Sequence, residues 1–512
     1  MLSKVISSAT LGVDAYRVEV ETDIQQQLPA FVTVGLPEGA VRESKERVTA
    51  AIKNSDFVFP SKRVTVNLAP ADIRKEGSAF DLPIAVGILA ATGQILRDRL
   101  DDYVMLGELA LDGMLRPIPG VLPMTMQVKP NNGIRGIIVP KENAKEAAMA
   151  GTVPVFPVAT LRDAVHFLED EGSLSPFFLD IKAVFTESHI YHNDFADVKG
   201  QESAKRALEI SAAGGHNIIM VGPPGSGKTM LARRMPSILP NLTIEEALET
   251  TKIHSVAGAL PAESALVATR PFRSPHHSIS YAGLIGGGAV PNPGEVSLSH
   301  NGVLFLDELP EFKKDVLEML RQPMEDKRVT ISRASQTLTF PAGFMLVAAM
   351  NPCPCGYLGD SNHECTCSTS EVQKYMSRIS GPLMDRIDIH ISVPAVKFKE
   401  LSSETSGEKS VDIRQRVNEA RLRQLERFKD EKDMFCNAHM ESRDIRKFCS
   451  IDDKSQSLLC MAISKQGLSA RAYDRILKVS RTIADLANCE SIEMGHIAEA
   501  IHYRSLDRKL WM

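Results

Sequence analysis

The residues of this chain best suited to chemistry form a glycine-rich run: Gly222, Pro223, Pro224, Gly225, Ser226, Gly227, Lys228 and Thr229. The run follows an apolar stretch expected to be a strand (217–221) and precedes one expected to be a helix (230–237). Glycines let backbone amides wrap phosphate oxygens, a lysine ammonium reaches the outer phosphates, and a threonine hydroxyl ligates magnesium. The pattern predicts a nucleoside triphosphate site with Mg²⁺. Downstream, the apolar run 303–306 ends in Asp307 and Glu308. These carboxylates suit the magnesium shell and polarisation of the water that attacks the γ-phosphate, which implies hydrolysis rather than binding alone. Asn351 ends the next apolar run (344–349) and is placed to orient that water, although a lone asparagine also suits a turn. Phosphoryl transfer further needs positive charge, and Arg386 (within 380–388) and Arg471 (within 468–475) are the candidates. Taken singly, an arginine is usually solvated or ion-paired.

Two more clusters stand out. In 325–341, Val329 and Ile331 alternate with polar neighbours, the chain turns near 333–335, and it returns through Leu338 and Phe340, which reads as a β-hairpin. It carries Lys327, Arg328 and Arg333, which on spacing alone are equally scattered surface charges. The Gly- and Pro-rich segment 256–299 reads as a moving loop or a passive cover. Cys353, Cys355, Cys365 and Cys367 follow Asn351 and offer four thiolates to one tetrahedral, structural Zn²⁺, with His363 able to replace one. Four free thiols are the alternative.

These sites need a scaffold. At roughly 150 residues per domain, 512 residues predict about three domains. With 43% hydrophobic and 24% charged residues the chain has the balance of a folded globular protein. Lys plus Arg number 59 and Asp plus Glu 64, a net charge of -5 that excludes a basic nucleic-acid coat but not a local basic patch. The longest apolar stretch, 82–95, is broken by Pro83, Gly87 and Gly93 and falls short of the roughly 20 residues a membrane span needs. No secretory signal pattern opens the chain, so the expected location is the cytoplasm, with reduced cysteines.

Up to about residue 170, β-branched runs (18–20, 31–34, 64–67, 137–139) alternate with helical stretches (37–53, 82–92), an α+β pattern. Segment 169–193 reads as a connection. A helix at 203–213 and the buried runs 303–306 and 344–349 then predict an α/β domain with a parallel sheet. After Pro394 the pattern is helical: 412–428, a helix capped by Ser469 and running to about 488, and another from Ser491 to about 503, with Gly467 as a stop.

The order of P-loop, Asp307-Glu308, Asn351, 380–388 and a helical region bearing Arg471 resembles an AAA+ ATPase. Segments 272–277, 286–288 and 293–303 resemble the magnesium-chelatase-like branch. The N-terminal module is similar to the Lon protease catalytic domain, of ribosomal S5 domain 2-like fold, at Lys75, Glu76, Gly77, Ser78, Ala79, at 107–113 and at 138–143. Ala79 stands at the nucleophile position and Leu122 at the general-base lysine, with Ser78 displaced by one, so proteolysis is disfavoured. Over essentially its whole length the chain resembles the YifB/ComM family, bacterial ATPases linked to DNA uptake and recombination.

That resemblance implies an α/β fold: a P-loop AAA+ parallel-sheet core (196–395), an N-terminal α+β Lon-protease-like domain (1–172), a linker (173–195) and a C-terminal helical lid (396–512). It implies ATP and Mg²⁺ as ligands. Lys228 and Thr229 become Walker A, Asp307 and Glu308 Walker B, Asn351 sensor 1, Arg386 the arginine finger with Arg378 as rival, and Arg471 sensor 2. The chains would form a homo-oligomeric, hexameric ring with nucleotide between subunits. The hairpin would enter the pore, where Lys327, Arg328 and Arg333 track the phosphate backbone without reading bases. The implied function is an ATP-driven translocase on single-stranded and branched DNA, driving branch migration in natural transformation. The alternative is a chelatase-type motor that remodels a protein partner for metal insertion.

Overall fold

Leu2–Leu11 (β1) pairs antiparallel with Asp14–Gln25 (β2) in the computed structural model, which describes residues 2–504 except 38, 76, 131–132, 188–190, 192, 261–264, 289–290, 334–335, 361–362, 396–406, 432–433 and 467–468. Ala30–Val34 (β3), Arg63–Ala69 (β4), Tyr103–Met105 (β5), Gly136–Pro140 (β6) and Val155–Val158 (β7) complete a mixed sheet of order β3-β4-β2-β1-β5-β6-β7. The sequence pattern anticipates β2, β3, β4 and β6 but not β1. Ser3, Ser7 and Ser8 interrupt its apolar period, yet all three are buried because their hydroxyls donate to the carbonyls of Gly87, Met105 and Tyr16. Hydroxyls satisfied in this way cost little on burial.

The helix Asp81–Thr92 is buried from Asp81 to Ala91, and its apolar residues belong to the core that includes Val5, Val18 and Val20. Each such Leu or Ile contributes roughly 1.5–3 kcal/mol on burial. The longest apolar stretch is thus a core helix; among the described residues no helix is long and apolar enough to cross a membrane. The expected connection at 169–193 holds a short helix, Ile181–Glu187.

By contacts the chain divides into two compact units, 1–188 with 244–268, and 189–243 with 269–512. In the second, five strands are parallel in the order β9-β10-β13-β8-β14: Ile218–Val221 (β8), Phe272–Arg273 (β9), Val303–Leu306 (β10), Met345–Met350 (β13) and Ile389–Ser392 (β14). Arg328–Ser332 (β11) and Thr337–Pro341 (β12) form the expected hairpin, whose turn residues 334 and 335 lie outside the described set. The helices Ser410–Arg427, Ala470–Leu486 and Met494–His502 bury Ile413, Val417, Ile476, Ile483 and Ile497 in the same cluster as the β8 and β13 side chains. Ser469 caps its helix, its hydroxyl accepting the Ala472 N–H at 3.2 Å. The last helix begins at Met494, capped by Glu493, and not at Ser491, because Ile492 is held extended in a bridge to Ile451. Gly467 lies outside the described residues.

Candidate active site

The parallel register sets Val221 beside Met350 and Leu306 beside Ala348, so the residues that follow these strands emerge together at the carboxyl edge of the sheet. That edge is where open α/β sheets bind ligands. Residues 224–230, Asp307, Glu308, Met350 and Asn351 line a cavity of about 450 Å³ there. Its size suits a nucleotide-sized ligand. Gly222 leaves the strand against another backbone: a Cβ there would lie 2.0 Å from the Val393 carbonyl oxygen. Helix Lys228–Ile238 starts directly behind the loop, so its N-terminal end, favourable to anions, opens on the cavity.

Lys228 is 8% exposed, and its ammonium donates to the carbonyl oxygens of Gly222 (2.7 Å) and Pro223 (2.9 Å) and to Asn351 Oδ1 (3.2 Å). Burial lowers its pKa from the ordinary lysine value, with Asp307 opposing the shift. A buried ammonium met by neutral oxygens gains on meeting an anion, since charge-assisted bonds are roughly twice as strong as neutral ones. The Thr229 hydroxyl donates to Asp307 Oδ2 at 2.7 Å, and the Glu308 N–H donates to Asp307 Oδ1 at 3.0 Å. A hydroxyl and a carboxylate meeting at one point form a donor set suited to a hard divalent cation. Glu308 is exposed at the cavity rim in the left-handed region (φ 52°), and its nearest basic neighbour is His277, with Nδ1 3.6 Å from Oε2.

The structure thus brings together Lys228, Thr229, Asp307, Glu308 and Asn351. Arg386 and Arg471 do not line this cavity. Arg386 is 6% exposed, and its guanidinium pairs with Glu325 (2.6 Å) and donates to the Pro382 carbonyl (2.7 Å). Arg378 pairs with Glu311 at 2.9 Å. Arg471 is exposed, with no side-chain partner among the described residues. On the hairpin, Val329, Ile331 and Phe340 are buried while Arg328 and Arg333 are exposed; Arg333 Nε donates to the Gly288 carbonyl at 3.3 Å, and Lys327 is half-buried.

The sulfurs of Cys353, Cys355, Cys365 and Cys367 all lie within 4.8 Å of one another. Cys353 is 3.3 Å from Cys355, and each is 3.6 Å from Cys365. A tetrahedral zinc with Zn–S bonds of about 2.3 Å needs sulfurs roughly 3.8 Å apart, so the cluster is already close to that size. The backbone amide of Tyr357 is the largest influence lowering the Cys355 thiol, to about 5.

In the other unit, the Ser78 hydroxyl donates to the Glu108 carboxylate, and Leu122, fully buried, gives its N–H to Glu146 at 3.0 Å. Burial is also the main cause raising the Asp81 carboxyl, to about 6, despite the opposing Arg47 guanidinium 2.6 Å away. Glu76 lies outside the described residues.

Gln201 escapes sequence reasoning. It sits in the left-handed region (φ 57°), and its amide donates to the Ser226 carbonyl inside the P-loop (2.7 Å) and to the Pro394 carbonyl (3.3 Å). Only the preceding Gly200 hints at a turn there.

A P-loop, an acidic strand end and a polar neighbouring strand end on one parallel sheet define an ATPase of the AAA+ class. Three family models agree on the branch: magnesium chelatase subunit ChlI matches 194–401, subunit ChlI of Mg-chelatase matches 20–143, and the magnesium chelatase subunit ChlI C-terminal model matches 407–504. The chain is 44% identical over 510 residues to the uncharacterized protein YifB of Escherichia coli, covering 99% of this chain and 98% of that one. It is 45% identical over 514 residues to competence protein ComM of Haemophilus influenzae, again covering 99% and 98%. It is also 32% identical over 154 residues to Lon protease 2 of Bacillus subtilis, 27% of this chain and 26% of that one. The chain belongs to the YifB/ComM family of magnesium-chelatase-like AAA+ ATPases.

Proposed function

We propose that this ATPase assembles as a hexameric ring in the cytoplasm, binds single-stranded and branched DNA, and drives branch migration of recombination intermediates during natural transformation. Supporting the DNA reading is the hairpin β11–β12, which holds its apolar side in the protein and turns Arg328 and Arg333 to solvent. Repeated around a ring, such charges give a phosphate-tracking surface on a chain whose net charge is -5. The relation to a competence protein points the same way.

In this reading Lys228 and the P-loop amides would hold the ATP phosphates, and Thr229 and Asp307 would hold Mg²⁺, which when bound would supply positive charge beside them. Glu308 polarises water, Asn351 orients it, and Arg386 acts on the nucleotide of an adjacent subunit once it leaves Glu325. Arg471 contributes a further positive charge. The four thiols hold a structural Zn²⁺, supported by their convergence within 4.8 Å.

A second reading, a motor that remodels a protein partner for metal insertion, draws on the chelatase models. DNA dependence separates the two. Under the first reading, adding single-stranded or forked DNA raises the ATPase rate of the purified protein several-fold. No change with any DNA would favour the second.

A further inference from the structure

The cysteine loop does more than follow the active site in sequence. Gly356, between Cys355 and Tyr357, packs against the P-loop: a Cβ there would lie 2.6 Å from Pro224 Cδ and 3.9 Å from Asn351 Cγ. Its φ of 90° is in the region that favours glycine, and its N–H donates to the Cys353 carbonyl at 3.0 Å, closing a turn inside the cluster. Cys353, fully buried, stands two positions after Asn351, whose Oδ1 accepts from the Lys228 ammonium at 3.2 Å. Beyond Cys367 the chain enters helix Thr369–Met376 through a Ser368–Glu371 capping box. That helix buries Tyr375 and Met376. The loop is therefore tied to the nucleotide cavity at two points: Pro224 through Gly356, and Asn351 through the chain.

We propose that the four-thiol loop is a metal-dependent backing for the wall that Pro224 and Asn351 give the nucleotide pocket, so that metal occupancy sets ATP affinity and the placement of Asn351. This rests on the reading of the four thiols as a metal site. With a metal bound, four side chains share one point and the turn at Gly356 is fixed, which holds Pro224 and Asn351 in place. Without it, the loop is held mainly by its own few hydrogen bonds, because Gly- and Cys-containing turns supply little apolar core. The wall then loosens, and the P-loop conformation that matches phosphate is no longer the one imposed.

The test uses the purified full-length protein. Zinc is measured by elemental analysis, stripped with a zinc-selective chelator that is then removed, and restored with Zn²⁺ alone, all before assay in Mg²⁺. ATP affinity and turnover are read separately, with far-UV circular dichroism as the folding check. Stripping is expected to raise the ATP KM about tenfold or more, with reversal on adding Zn²⁺. A folded, zinc-free protein that binds and hydrolyses ATP like the loaded one overturns the proposal. A protein that never binds zinc removes the metal reading itself.

A second pair of variants decides the wall independently of metal removal. Gly356 and Gly359 both have positive φ (90° and 78°), but a Cβ on Gly359 meets nothing within 4 Å. The backbone strain added by alanine is thus matched, while only Gly356→Ala presses on Pro224. Gly356→Ala is expected to keep its zinc and raise the ATP KM about tenfold, whereas Gly359→Ala changes it less than about twofold. Equal effects of the two would overturn the wall whether or not zinc is bound, including the case in which the stripped protein unfolds.

Discussion

Replacing Gln201 by Ala removes two hydrogen bonds that brace the P-loop from outside, to the Ser226 carbonyl (2.7 Å) and the Pro394 carbonyl (3.3 Å). A neutral hydrogen bond contributes about 0.5–1.5 kcal/mol net, and the longer one belongs at the low end, so the loss is about 1–2 kcal/mol. The backbone cost should not change, because glutamine and alanine are both poorly suited to φ 57°. Gln201 Oε1 is moreover buried without a partner among the described residues, and its removal offsets part of the loss to global stability. The effect therefore concentrates on ordering the phosphate loop, and at 1.4 kcal/mol per tenfold it corresponds to about 5- to 30-fold weaker nucleotide binding. Fluorescence titration with a labelled ATP analogue measures this, with thermal melting alongside. Wild-type affinity would refute the bracing role. So would a melting-point drop large enough to explain the binding loss by unfolding.

Two further outcomes follow from the same geometry. Arg328→Ala with Arg333→Ala should weaken DNA binding uniformly across sequences and reduce the slope of log affinity against log salt by about one to two, as expected for roughly 0.9 counterions per lost phosphate contact; filter binding at several salt concentrations reads both quantities. Asp388 is buried, and burial works to raise its carboxyl, but the Arg475 guanidinium and then His216 outweigh this and hold it well below the usual carboxylate range. A depressed folded pKa gives stability that is present above the unfolded value of about 3.9 and is lost as pH falls below it. Asp388→Asn, which leaves the Arg475 charge uncompensated, should cost about 3 kcal/mol at pH 7, and its deficit relative to wild type should shrink as pH is lowered through the acid range in denaturant melts.

The parts of the site written contiguously were legible in sequence. Lys228, Thr229, Asp307 and Glu308 announce themselves because each follows an apolar strand at the position where a parallel sheet exposes its carboxyl ends. The hairpin was legible for a similar local reason, the two-residue alternation of Val329 and Ile331. Features that depend on tertiary pairing were not. β1 hid behind Ser3, Ser7 and Ser8, whose burial is intelligible only once their carbonyl acceptors are known. Ser491 has the side chain of a cap, but the bridge from Ile492 to Ile451 delays the helix to Met494. The Arg386–Glu325 pair, the Gln201 brace and the Gly356–Pro224 contact each join residues distant in the chain, and no spacing rule links them.

Movement of a synthetic four-stranded junction by the purified protein, in the presence of ATP and Mg²⁺, tests the proposed function most directly. The prediction is ATP-dependent conversion of the junction to its exchanged duplexes by wild type and none by Lys228→Ala, which keeps the hairpin but loses the ammonium that meets the phosphates. A wild-type protein that hydrolyses ATP yet leaves three- and four-stranded junctions unmoved would contradict it.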